Sequence, residues 1–561
     1  MRTFRCLRLG LITLITLVIN TERPRTAVGE VFAQLQKPPV FLRDATGLVR
    51  EIGWVSLLFY GMNVLGFQFS FYYIASLVPL LGTNTWFGFV IMACATISVI
   101  LVYHAFVTMM PRSGGDYVFV SRALHPIIGF VGNLSFGVIL MLFVAISAGT
   151  TSTSVLGPLF GYLGVVTGNA GLISLAGQMS TPTYIIPIGA ALILGLSILA
   201  LISLRTYFKL QNVAFVITLV GVAVMIAVAA STSQSTFASS FNSFVGSYMA
   251  KSGDWYGNVT STATAAGWAV PTSSWWMGGI FAYPVLAVSG FFAYNAQMAG
   301  EIKNSRRSYL FASAGGAILY LALTAISLGL VMNAIGFNFL SAIDYLLYNA
   351  PAQIPLPALA YVNLLLATAT TPALAVIIFA STLFANIYIP ATFLFMSRGL
   401  FAYSFDGILP AWFAKVSDRT HGPTNAVAAA TATALAFFVI INIPQSATYL
   451  YLFSSVATWV SAIIPTFFVG LSAALLLKLK PGFHEMSPIK GAKLVFLGIA
   501  EMFFMALLVY LLLTNPIYGG NTSIGEELAL GLIIAYVLIF AIARARRGPS
   551  LMLAFKEIPP E

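Results

Sequence analysis

Two short stretches set hydrogen-bonding groups inside otherwise apolar sequence. "YGMNVLGFQFS", Tyr60 to Ser70, carries Gly61 and Gly66 with Asn63 and Gln68 beside them. "YPVLAVSGFFAYN", Tyr283 to Asn295, carries Pro284, Ser289, Gly290 and Asn295. A membrane helix broken at such a point releases backbone N–H and C=O groups that cannot face lipid, so they must line a protein cavity and bind something. Half-helix N-termini offer partial positive charge to an anionic group, and half-helix C-termini offer carbonyls to a cation. Glycine in such helices also serves plain close packing, so the residues alone leave both readings open. The chemistry on offer is ligand capture rather than bond-making. No HExxH motif and no partnered GxSxG motif occurs, and His104, His125, His421 and His484 are scattered, so an enzyme is not expected. Glu501 is the one acidic residue well inside an apolar segment, where it serves as an interior hydrogen-bonding group or as a proton carrier.

The elements that position these stretches follow from composition. Of 561 residues 59% are hydrophobic and 8% charged, a balance that no aqueous fold can bury. Apolar segments recur near 53–80, 86–110, 127–150, 183–204, 210–231, 275–299, 311–336, 372–397, 424–443, 447–477, 493–514 and 528–543. Most are long enough to cross a hydrocarbon core of about 30 Å. The sequence therefore predicts an all-α integral membrane protein of about twelve transmembrane helices. Spans one and six lead two successive sets of five that cross in opposite directions, which is what an inverted repeat requires.

The net charge of +11 resembles a nucleic-acid signal only until it is mapped. Lys251 apart, all 27 Lys and Arg residues fall on one side of the alternating loops, which predicts cytoplasmic N- and C-termini and no nucleic-acid partner. Cys6 and Cys94 give no disulfide framework. "MRTFRCLRLGLITLITLVIN" resembles a signal-peptide core, yet "KPPVFLRDATGLVREIGW" reads as a basic amphipathic approach to a span that needs no signal, so an uncleaved leader is expected. The expected organisation is a cytoplasmic segment (1–50), a first five-helix repeat (51–231), an extracellular loop (232–274), a second repeat (275–480), then two peripheral helices and a tail (481–561). The outer loop, rich in Ser, Thr and Gly, is too small for a core of its own.

Three loop motifs resemble the amino acid-polyamine-organocation (APC) superfamily of permeases. "PRSGGDYVFVSRALHPIIGFVGN", Pro111 to Asn133, is similar to the family's P-x-S-G-G-x-Y segment after helix two. "GEIKNSRRS" is similar to its G-E-[IV]-K-N-P-x-R signature after helix six, with Ser305 in place of the Pro. "SRGLFAYSFDGILPAWFAKVSDRTHGPTNAV", Ser397 to Val427, is similar to its R-x-L-x-x-x-x-x-D-G-x-L-P stretch. The approach "FLRDATGLVREIGW" is most similar to prokaryotic, particularly archaeal, members.

The resemblance implies the LeuT-like 5+5 inverted repeat with helices one and six broken. It further implies secondary transport of amino acids by alternating access at the cell membrane, without cofactor and with no obligate protein partner evident. The implied substrate site comprises Asn63, Gly66, Phe67, Gln68, Ser289, Gly290, Phe291 and Tyr294. Amino acid members commonly have G-S-G or G-x-G at the first break; Gly66-Phe67-Gln68 departs from this and narrows the site. A helix-five Lys found in some proton-coupled members aligns with Thr218, so a lysine switch is not expected. The coupling ion expected is Na⁺, with H⁺ as the other choice. Na⁺ would be held by the carbonyls of Met62 and Leu65 and the hydroxyls of Ser381 and Thr382, an oxygen-only set that suits a hard cation. Those hydroxyls have an ordinary use too, back-bonding to their own helix carbonyls. A carrier of polyamines or other small organic solutes is the second reading, and a channel or sensor on the same scaffold is the alternative from another class. The chain shows neither a repeated filter nor pore-lining charge rings.

Overall fold

A computed structural model describes residues 48–556 apart from 83–84, 273, 288–291, 355–361, 516–517, 519–522, 549–550 and 553, with backbone alone at 275, 292, 445–462 and 523. The described residues belong to one unit, and no strand occurs among them beyond an isolated bridge between Ile52 and Ile302.

Helix dominates because the apolar stretches supply long runs with few interior breakers, and Pro at a first turn starts several of them. In chain order the helices are α1 (Trp54–Val64), α2 (Phe67–Leu81), α3 (Trp86–Met109), α4 (Gly115–Ala123) and α5 (Pro126–Thr151). A π-turn at Ser152–Leu156 carries α5 into α6 (Gly157–Thr167), followed by α7 (Ala170–Gln178), α8 (Pro182–Leu201) and α9 (Leu204–Ser231). Next come α10 (Gln234–Tyr248), α11 (Trp255–Ala265), α12 (Trp275–Leu286), a 3₁₀ segment (Phe292–Glu301) and α13 (Ser305–Ile335). Then follow α14 (Phe337–Asn349), α15 (Val362–Thr368), α16 (Pro372–Phe384) and α17 (Tyr388–Phe405). The last are α18 (Thr424–Ile441), α19 (Pro444–Leu479), α20 (Pro481–Met486), α21 (Ala492–Thr514) and α22 (Ser523–Arg547).

Among the described residues nine helical stretches are long and apolar enough to cross a membrane, or ten with the bent pair α1–α2 counted as one span. Their outward faces carry large apolar side chains: Ile318 is 71% exposed, Phe496 70% and Val213 62%. In water such faces would be costly, and in hydrocarbon they are at home. The chain is a multi-pass membrane protein.

Several segments expected as loops are helical. The third span continues through the π-turn to Thr167, because "GPLFGYLGVV" keeps the apolar run going until Gly168 turns left-handed. The stretch 232–274 holds α10 and α11, whose Phe237, Phe241 and Tyr256 pack on Phe339 of α14. Too small for its own core, this stretch borrows one from α14. In the expected sixth span α12 reaches Leu286 and a 3₁₀ segment begins at Phe292, while Ser289, Gly290 and Phe291 lie outside the described residues.

Candidate functional site

Helix is interrupted between α1 and α2, within the first of the two stretches that the sequence singled out. α1 ends at Val64, Leu65 stays right-handed, and Gly66 adopts φ +62°, ψ 52° before α2 begins. The two halves meet at a bend of 41°. A left-handed residue is costly for any side chain with a Cβ, which is why glycine stands here. Space is not the constraint, since a Cβ at Gly66 would meet nothing within 4 Å. The turn uses some freed groups itself: Gly66 N–H donates to the Asn63 carbonyl at 2.7 Å, and Ser70 Oγ–H donates to the Leu65 carbonyl at 2.5 Å. No side chain caps α2, so the N–H groups of its first turn have no side-chain partner at the N-cap. Two polar atoms at the break are buried without a partner, the donor Asn63 Nδ2 and the acceptor Gln68 Oε1.

Gln68 joins the two groups of residues that the sequence kept separate. Its Nε2 lies 2.8 Å from Tyr72 Oη, 2.9 Å from Thr382 Oγ1 and 3.3 Å from Ser381 Oγ. Tyr72 O–H donates to Asn363 Oδ1 at 2.7 Å, and Asn363 Nδ2–H donates to Thr382 Oγ1 at 2.8 Å. Ser381 and Thr382 also back-bond, both donating to the Ile378 carbonyl, at 2.7 and 3.0 Å. Helix α9 presses on this corner from behind. Thr218 Oγ1–H donates to the Ala214 carbonyl at 3.1 Å and reaches the Ser381 carbonyl at 3.5 Å.

The remaining predicted residues divide. Met62 and Asn63 are buried in α1, and Phe67 is edge-on to Tyr320 (4.7 Å between ring centroids) and to Phe215 (6.3 Å). Tyr294 stacks on Phe136 at 4.7 Å and meets Phe395 at 6.0 Å, so its ring belongs to an aromatic cluster with α5 and α17. Tyr72 and Asn363 were missed in the sequence. The signal for Tyr72 was its spacing of four from Gln68, one helical turn along the same face. Asn363, a lone amide in "VNLLLAT", comes from a segment hundreds of residues away and left no such trace.

A second polar centre gathers the three loop motifs. Arg398 Nη2 and Nε donate to the two carboxylate oxygens of Glu301 at 2.8 and 3.1 Å, and both side chains are almost fully buried. Arg122 forms a similar fork on Asp406, both bonds at 2.7 Å. Between the pairs, Asn133 Nδ2–H donates to Asp116 Oδ1 at 2.6 Å and to Gln297 Oε1 at 3.3 Å, while the Tyr403 hydroxyl donates to Asn133 Oδ1. Gly114 N–H donates to the Gln297 carbonyl at 3.1 Å, and Glu51 and Ile52 N–H both donate to the Glu301 carbonyl at 3.0 Å. Segments far apart in sequence thus close on one another through buried, bidentate bonds.

The comparison that decides the family spans nearly the whole chain: a family model described as "Amino acid permease" matches residues 52–542. The chain belongs to this family. A comparison with curated proteins returns no match. Membership makes the chain a membrane transporter rather than an enzyme, with a small-molecule substrate and a lipid surround. In this permease the matched region contains the interruption between α1 and α2, the Gln68 corner and all of the motif cluster but Glu51.

Proposed function

We propose that this permease is a secondary active transporter that moves an amino acid across the cell membrane by alternating access. In this reading twelve spans form a LeuT-like 5+5 repeat, and the substrate sits between the breaks of spans one and six. Asn63, Gly66, Phe67, Gln68, Ser289, Gly290, Phe291 and Tyr294 line the site.

The observation that carries the reading is the break itself. Open space at Gly66 adjoins an uncapped helix N-terminus, a buried amide donor on Asn63 and a buried carbonyl acceptor on Gln68. Unpaired buried donors and acceptors are costly unless a ligand completes them. A zwitterion supplies what is missing: a carboxylate for the N–H groups and an ammonium for the carbonyl oxygen. Helices α1 and α2 carry no acidic residue, which disfavours a polyamine, whose desolvated charges would need partners.

Uptake of a labelled amino acid panel into proteoliposomes tests this reading. Saturable uptake of at least one amino acid, with apparent affinity falling about 5- to 100-fold in Asn63→Ala, is the expected result. Absence of uptake across the panel, with polyamine uptake instead, would replace the substrate class.

A further inference from the structure

We infer that the side-chain amide of Gln68 occupies the position assigned above to a coupling cation, so that this permease works without Na⁺. The inference assumes that the broken first span is the transport site, and it rests on a count of valences. A hydroxyl has one hydrogen and two lone pairs. Thr382 Oγ1 accepts N–H from both Gln68 and Asn363, and its hydrogen goes to the Ile378 carbonyl or to Tyr72 Oη, 2.9 Å away. No lone pair on it remains for a metal ion. Ser381 Oγ likewise sends its hydrogen to the Ile378 carbonyl and turns a lone pair to Gln68 Nε2, and Tyr72 sends its hydrogen to Asn363. Three oxygens therefore aim lone pairs at one point, as ligands of a hard cation do. The point holds an N–H₂ group. Ser70 Oγ–H takes one lone pair of the Leu65 carbonyl, another of the expected ligands.

The orientation of the amide follows from the same count. With Asn363 placed as it is, Tyr72 keeps its hydrogen for Asn363 Oδ1, and a Gln68 Oε1 turned to this corner would meet the Tyr72 oxygen with no hydrogen between them. Gln68 Nε2 points at α16, which leaves Oε1 on the opposite side, buried and without a partner. One residue thus performs two tasks: its N–H₂ ties α2 to α16, and its carbonyl remains for the substrate. A fixed amide cannot leave with the substrate, so this tie carries no ion gradient.

Thermal melts of the purified full chain in NaCl and in choline chloride test the inference without any substrate. Wild type should melt at the same temperature in both salts. Gln68→Glu keeps the shape but replaces the donor with an acceptor, so several oxygens converge with no hydrogen among them. Its melting temperature should rise by about 2 °C or more in NaCl relative to choline. Adding Thr382→Val to Gln68→Glu should abolish that rise. Sodium-dependent melting of wild type would overturn the inference, as would a folded Gln68→Glu protein with equal melting in both salts. Gln68→Ala, which empties the position, repeats the measurement should the charged variant not fold, and a null response there overturns it equally. Since the melts use no amino acid, failure of the proposed substrate class would show as absent uptake with the salt responses intact.

Discussion

Gly221 shows how tightly single residues are specified around the polar corner. A Cβ there would come within 1.9 Å of Ser381 Oγ and 2.0 Å of Ser381 Cβ, while its next neighbour lies at an ordinary 3.5 Å. The conflict is with one side chain. Gly221→Ala should therefore cost about 3 kcal/mol through overpacking, and Gly221→Ala with Ser381→Gly should recover most of it, as chemical denaturation of both variants would show. Gly66 is the opposite case, with free space and a left-handed backbone. Gly66→Ala should lose only about 1–2 kcal/mol of stability, from strain rather than collision, and remain foldable. Gly66 was legible as a candidate because it stands beside Asn and Gln in an apolar run, and only its left-handed backbone separates a break from plain close packing. Gly221 was not legible, since in "TLVGVAVMIA" only the partner helix α16 gives it a reason to exist. The same limit hid Tyr72 and Asn363: polarity is visible in one dimension, and a hydrogen-bond partner is not.

Helices and loops were read with uneven success for a comparable reason. Apolar runs announce spans because hydrocarbon admits little else, and each described run that the sequence marked does carry helix. The outer stretch 232–274 has no such run, and its helices form because Phe237 and Phe241 find Phe339 on α14. The motif cluster was visible only as three separate strings of letters, whose convergence on Asn133 and the two buried ion pairs is tertiary. Breaking one pair leaves an uncompensated charge. Arg398→Met should cost about 3–5 kcal/mol, whereas Arg398→Met with Glu301→Gln should cost clearly less than the sum of the single changes, measured by melting. Asp116 in α4 adds a pH dependence. Burial pushes its carboxyl up to about 7, against a hydrogen bond from Asn133 that lowers it. Tyr103, Tyr294 and Tyr403 face it from α3, the 3₁₀ segment and α17. A folded-state value raised above the unfolded one means that the native state holds the proton more tightly. Its contribution is thus complete below the unfolded value near 4 and is lost as pH rises through about 7. Melting temperature should fall between pH 5 and about 8 in wild type, and Asp116→Asn should flatten that slope.

At the scale of the whole molecule the question is which way the bundle lies. All but one of 27 basic residues fall in alternate loops, and a bias of that size sets orientation during insertion. The motif cluster supplies an independent link, since Arg122, Arg398 and the Glu301 segment come from those same loops and close on one another. If that end is cytoplasmic, the helical stretch 232–274 is extracellular, and the bundle has its polar locks inside and its borrowed aromatic core outside. Single cysteines decide the matter once Cys6 and Cys94 are replaced by Ala. Ser252 is exposed between α10 and α11, and Ser417 is partly exposed in the segment between α17 and α18. In intact cells an impermeant maleimide should label Ser252→Cys and leave Ser417→Cys unlabelled until the membrane is opened. Labelling of Ser417→Cys alone from outside would invert the molecule, and equal labelling of both would mean that an odd number of crossings does not separate them. That last result would also break the second five-helix set, because three of its members, the spans near 275–299, 311–336 and 372–397, are the crossings expected between these two positions.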